Sequence, residues 1–164
     1  MNSMSRNNDN YDNCKKEKKA CPTIIKCSCP GSTTIPALTV ISTAFPVTSL
    51  TLNTSRLEDP CTKLEFASNI IATAFTGSIS FQAFKICRGQ STPIPVGPSW
   101  TYSRLVAITE SDTFSLFICD CDSCFDDCCT YTVVATVTAI TAGVLSINNA
   151  TLGAISTCSS NKCC

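Results

Sequence analysis

The stretch Tyr131-Thr132-Val133-Val134-Ala135-Thr136-Val137-Thr138 decides the fold class. In an extended chain Tyr131, Val133, Ala135 and Val137 point one way, and Thr132, Thr136 and Thr138 the other. Alternation with a period of two marks a strand with one face on a core and one toward water. The same signature recurs upstream. Leu50 and Leu52 alternate with Ser49 and Thr51, and Phe114, Leu116 and Ile118 share a face. From Ile35 onward the chain is dominated by Thr, Ser, Val, Ile and Phe, the composition of strands. No amphipathic helix is evident.

Eight strands are expected, at roughly 37–43, 47–53, 61–68, 76–86, 99–106, 112–119, 129–141 and 144–155. Turn signals separate them: Asp59-Pro60, Arg88-Gly89, Pro93 to Pro98, Glu110 to Asp112 and Ala142-Gly143. Many short strands with turns between them predict an all-β fold, a jelly-roll β-sandwich of about eight antiparallel strands. One run breaks the pattern. Ile79 and Phe81 are odd-numbered, whereas Phe84 and Ile86 are even, so a β-bulge is expected near Gln82-Ala83. Trp100 and Tyr102 lie two apart on a strand and read as core rather than as a sugar-stacking face.

Three regions are expected: an arm over 1–30, a sandwich over 31–157 and a tail over 158–164. The arm is polar, without hydrophobic periodicity, and ends at Pro30-Gly31. It carries six Lys/Arg and three Asp/Glu, and the remainder of the chain is mildly acidic. Formal net charge is zero, which points to neither nucleic acid nor an anionic membrane as partner. No apolar run reaches the ~18 residues of a membrane span, and the first residues do not read as a secretory signal.

Fourteen cysteines in 164 residues exceed ordinary usage and point to an oxidising destination. The densest group is Cys119, Cys121, Cys124, Cys128 and Cys129. A disulfide-rich loop, a zinc site and a redox CxxC are the readings weighed. Only Cys121 and Cys124 form a CxxC, without the matching second pair of a zinc ribbon. No βαβ setting surrounds it to activate a thiol. The expectation is therefore disulfides, with no metal and no cofactor. Histidine is absent, which removes the Ser-His-Asp and Cys-His arrangements and argues against an enzyme. Cysteines near both ends, including Cys158, Cys163 and Cys164 on the tail, suit a subunit linked covalently to copies of itself.

The runs Pro93-Ile-Pro-Val-Gly-Pro-Ser-Trp100, Ser111-Asp-Thr-Phe-Ser-Leu-Phe-Ile-Cys-Asp-Cys-Asp-Ser-Cys-Phe125 and Ser146-Ile-Asn-Asn-Ala-Thr-Leu-Gly153 resemble an uncharacterised family of cysteine-rich β proteins of clostridia and relatives. In architecture the chain is also similar to subunits of bacterial endospore appendages. Those are jelly rolls stacked into fibres, with a cysteine-bearing N-terminal connector. The resemblance implies that Cys14, Cys21, Cys27 and Cys29 are donors of inter-subunit disulfides. It implies Cys61, Cys87, Cys119 and Cys129 as acceptors, with Cys121, Cys124 and Cys128 as further acceptors or internal bridges. Cys163-Cys164 departs from that layout and suggests a separate terminal linkage. Implied with it are a helical fibre, a spore-surface location after mother-cell lysis, and coat or exosporium proteins as further partners. The alternative expectation is a soluble, lectin-like or adhesin-like jelly roll with internal disulfides, or a metal-binding coat protein using residues 119–129.

Overall fold

A computed structural model describes residues 21–121 and 128–158. These form six antiparallel strands: β1 (Ile24–Cys27), β2 (Gly31–Ile35), β3 (Ala44–Asn53), β4 (Pro60–Cys87), β5 (Ile94–Asp120) and β6 (Cys128–Cys158). The last three run for 28, 27 and 31 residues. A strand rises about 3.3 Å per residue, so each would reach some ~90 Å if straight, far more than a domain this size can span. They bend instead. Register shifts interrupt β4 against β5 between Ala72 and Gly77, and β4 against β6 between Thr73 and Ile79. Each long strand thus contributes one half to each of two sheets.

In the first sheet, β1 and β2 pair with the second half of β6. That half pairs with the first half of β4, which pairs with the second half of β5. In the second sheet, β3 pairs with the first half of β6, followed by the second half of β4 and the first half of β5. Three bent strands give six segments; β3 is a seventh, and β1 with β2 the eighth. Both sheets therefore read edge–β6–β4–β5, the interleaved order of a jelly roll. The fold is an all-β jelly-roll sandwich.

The core lies between the sheets. Phe66 and Phe114 of the first sheet meet Phe81 of the second, with centroids 5.9 and 4.5 Å from Phe81. Leu52, Val133, Val137, Ile147 and Leu152 are fully buried around them. The alternating faces expected for 131–137 and for Leu50 and Leu52 are the buried ones. Tyr102 is buried and Trp100 packs against the core.

Several boundaries differ from the expectation. Residues 37–43 are turns, with Leu38 and Ser42 at positive φ. Their amides donate to the carbonyls of Thr141 and Val137, so the segment is tied to the middle of β6 without forming a strand. The edge is supplied earlier, by β1 and β2, and β1 lies inside the span expected as an arm. Glu110 to Asp112, expected as a turn, pair in unbroken register with Ala72 to Ile70, and Ala142-Gly143, expected as another, is a corner within β6. The irregularity at Gln82 exists, but the extra residues sit opposite, on β5. Phe81 pairs with Trp100 and Ala83 with Val96, two positions on β4 against four on β5. The Gln82 amide fills the gap by donating to the carbonyls of Val96 and Gly97. The inward phase of β4 therefore continues through Ala83, Lys85 and Cys87.

Candidate functional site

Three disulfides close the domain: Cys21–Cys158, Cys61–Cys121 and Cys87–Cys129. The first joins the two ends of the described chain, 137 residues apart in sequence. Cys21, expected as a donor to a neighbouring subunit, and Cys158, expected in a terminal linkage, are instead partners of each other. The reason is the register. β1 pairs antiparallel with the end of β6, placing Ile24 opposite Ser156, and two or three residues further out the chain ends meet. Cys61, Cys87, Cys121 and Cys129 are likewise in internal bridges. Cys27, Cys29 and Cys119 are free and exposed, and Cys128 is free and half-buried. Cys14, Cys124, Cys163 and Cys164 lie outside the described residues. So does most of the loop weighed as a metal site, residues 122–127.

At one end of the sandwich sits a polar cluster that sequence reasoning missed. Lys85 and Asp120 are 2% and 7% exposed, and the ammonium donates to both carboxylate oxygens at 3.0 and 2.8 Å. The Tyr131 hydroxyl donates to the same carboxylate at 2.8 Å. This cluster ties the second half of β4 to the end of β5 and so joins the two sheets. Charge is tolerated here because each carboxylate oxygen has a donor. A second brace holds the corner of β5, where Arg104 is ion-paired with Glu110 and Asp112. The Tyr102 hydroxyl donates to Asp112 at 3.0 Å. Burial and this hydrogen bond push the phenol up to about 12.

The outer face of the first sheet differs. Its register sets side chains in rows across four strands. One row is Ile25, Ile155, Lys63 and Cys119; the next is Cys27, Gly153, Glu65 and Phe117; a third is Thr151, Ala67 and Ser115. Gly153 leaves the middle of this face without a side chain. The result is a shallow depression of about 650 Å³ with Cys27, Glu65, Phe117 and Thr151 among its walls. Phe117 is 66% exposed. The Lys63 ammonium stands 5.7 Å from its ring centroid and is ion-paired with Glu65. That partner raises the Lys63 ammonium above its usual range. The face thus offers an apolar ring, a carboxylate, an ammonium and the hydroxyls of Ser115 and Thr151 around an open floor.

The model of the DUF4489 domain of unknown function matches residues 21–157. The chain belongs to that family. The matched span opens on Cys21 and closes one residue before Cys158, so the DUF4489 domain and the disulfide-closed sandwich coincide. No curated protein matches the chain. Among solved structures it is similar to the enzymatically active domain of tailspike protein 4 of bacteriophage CBA120. Identity there is 14% and the TM-score 0.37, over 79% of this chain and 19% of that one. Carbohydrate-binding modules from the β-sandwich superfamily align at 10% identity and TM-score 0.37, over 78% of this chain and 55% of that one. A non-crystalline cellulose specific carbohydrate-binding module, CBM28, aligns at 13% identity and TM-score 0.37, over 73% and 78%. The DUF4489 chain spans less than two thirds of the first two. Its jelly-roll assignment stands on its own strand pairing.

Proposed function

We propose that the chain is a binding module: a jelly-roll domain, braced by internal disulfides, that takes a hydroxyl-rich chain such as a glycan along the outer face of its first sheet. The observation that carries the reading is the depression floored by Gly153, with exposed Phe117 and Glu65 beside it. A large aromatic ring left in water gains free energy when it is covered. The C–H face of a sugar ring fits Phe117, while its hydroxyls donate to Glu65 and accept from Lys63 and Ser115. Three internal bridges support the reading too, since such a domain keeps its shape in an oxidising setting without a partner. No catalytic step is part of it. The depression holds one carboxylate, Glu65, where glycoside hydrolysis uses a flanking pair.

The test is a titration of isotope-labelled protein with soluble glycans of several classes, read by amide chemical shifts. Shifts are expected in the three rows around Gly153. Gly153→Leu should abolish them and leave the melting temperature close to wild type. A Cβ at that position meets only Glu65 O, at an ordinary 3.8 Å. A full panel without shifts on this face, or shifts indifferent to Gly153→Leu, sinks the proposal.

A second reading is a subunit that joins copies of itself into disulfide-linked fibres. Its support is the set of exposed, unbridged thiols Cys27, Cys29 and Cys119, beside a half-buried free Cys128, in a chain whose other described cysteines are bridged. A spore-surface location and coat partners belong to this reading through the resemblance alone. Fibres visible by negative-stain electron microscopy under oxidising conditions, and dispersed by reductant, are its expected outcome. A monodisperse monomer under those conditions contradicts it.

A further inference from the structure

We infer that the two open edges of the first sheet are complementary. In this inference β1 of one copy pairs with β5 of the next, and Cys27 is bridged to Cys119 of its neighbour. It rests on the assembly reading above and assigns that reading a surface and a bond. Among the described residues both strands are edges: β1 pairs only with β6, and β5 only with β4. Each edge carries an exposed free thiol on the same outer face, Cys27 on β1 and Cys119 on β5. Unpaired edges with exposed N–H and C=O groups are templates for another strand.

Within one chain these thiols cannot meet. Three inter-strand spacings separate β1 from β5, about 14 Å, whereas a bridge needs Cα atoms about 4.4–6.8 Å apart. Between copies they can. Directions alternate along β1–β6–β4–β5, so simple translation sets β5 antiparallel to the next β1. At zero slip Cys27 falls level with Phe117, and Ile25 with Cys119. A slip of two residues, about 6.8 Å, brings Cys27 opposite Cys119 and keeps both on the outer face, because side chains alternate with period two. Directly opposed residues of an antiparallel pair have Cβ atoms about 4.5–5.5 Å apart, within reach of a bridge after small adjustment. The contact is head-to-tail and repeats with the same offset, so it builds an open filament or a ring. The outer face with its Gly153 depression stays uncovered.

The covalent step needs an oxidant, here a low-molecular-weight disulfide. The first thiolate attacks it and releases one small thiol. The neighbour's thiolate then displaces the second. Two protein thiols lose two electrons and two protons, and the small disulfide is reduced to two thiols.

The test uses the full chain with its internal bridges intact, incubated with oxidised glutathione and run on a denaturing gel without reductant. Wild type should give a ladder whose linking peptides join Cys27 to Cys119. Cys119→Ser alone and the double variant Cys27→Ser/Cys29→Ser alone should each lose the ladder. Their equimolar mixture should give covalent dimers and nothing longer, because one donor edge and one acceptor edge remain. A ladder in Cys119→Ser, no dimer in the mixture, or a Cys27–Cys29 bridge by peptide mapping overturns the inference. Polymers formed through other cysteines would reject this bond and keep the assembly reading. No polymer from wild type rejects both.

Discussion

Lys85 shows what one residue contributes here. It sits at an inward position of β4, between buried Ala83 and Cys87, with its charge matched by Asp120 and the Tyr131 hydroxyl. Removing one partner of a buried pair strands the other charge, at a cost of about 3–5 kcal/mol. Lys85→Met is therefore expected to destabilise the domain by about that amount in denaturant unfolding. Adding Asp120→Leu should recover most of the loss, because no lone carboxylate then remains. Equal destabilisation by the single and double variants would show that packing, not charge, matters at this site. The sequence hides this pair for a physical reason. A lysine flanked by Phe84 and Ile86 looks like the solvent-facing residue of a strand that has slipped phase. Asp120 lies 35 residues away, among acidic residues that read as a solvated loop. The ladder pairs Lys85 with Ile94 and Asp120 with Thr62, so the two meet only where the sheets face one another.

At the scale of elements, the corners set the sandwich. Where β4 and β6 bend side by side, Gly143 has φ 68° and Ala74 has φ 48°. A Cβ on Gly143 would lie 2.2 Å from the Ala74 carbonyl oxygen, in a backbone conformation that side chains resist. Gly143→Ala should lower stability by at least about 1–3 kcal/mol, measured as a fall in the urea midpoint at unchanged slope. A midpoint equal to wild type would contradict the corner's role. The strands from Ala44 onward were legible because alternation and β-branched composition are local signals. Ala142-Gly143 carries turn chemistry because a bend inside a ladder uses the same residues as a turn, and the polar run Glu110 to Asp112 mimics a turn while staying in register with β4. The segment 37–43 was misread for the converse reason. Its Thr-Val-Ile composition is that of a strand, yet its amides bond Thr141 and Val137 just before the corner in the middle of β6.

At the scale of the whole molecule, the question is whether the cysteines close one chain or connect several. Their number and their bias toward the ends were visible in the sequence. Their partners were not, since pairing is fixed by which strand ends the fold brings together. Cys21 and Cys158 meet because β1 and the end of β6 are antiparallel neighbours. Closing a loop of 137 residues constrains the unfolded chain, so this bridge contributes up to about 5 kcal/mol. Six of the described cysteines close the chain on itself, and Cys27, Cys29, Cys119 and Cys128 stay unbridged. The outer-face depression is illegible in the sequence because it is made by a glycine and by rows that cross four strands. No local pattern records such rows. The most direct test of this account is disulfide mapping of the oxidised monomer, by mass spectrometry of a non-reduced digest. The account predicts Cys21–Cys158, Cys61–Cys121 and Cys87–Cys129 peptides, with Cys27, Cys29, Cys119 and Cys128 as free thiols. Cys21 or Cys158 found bridged to another chain would contradict it and make the ends tethers rather than a clasp.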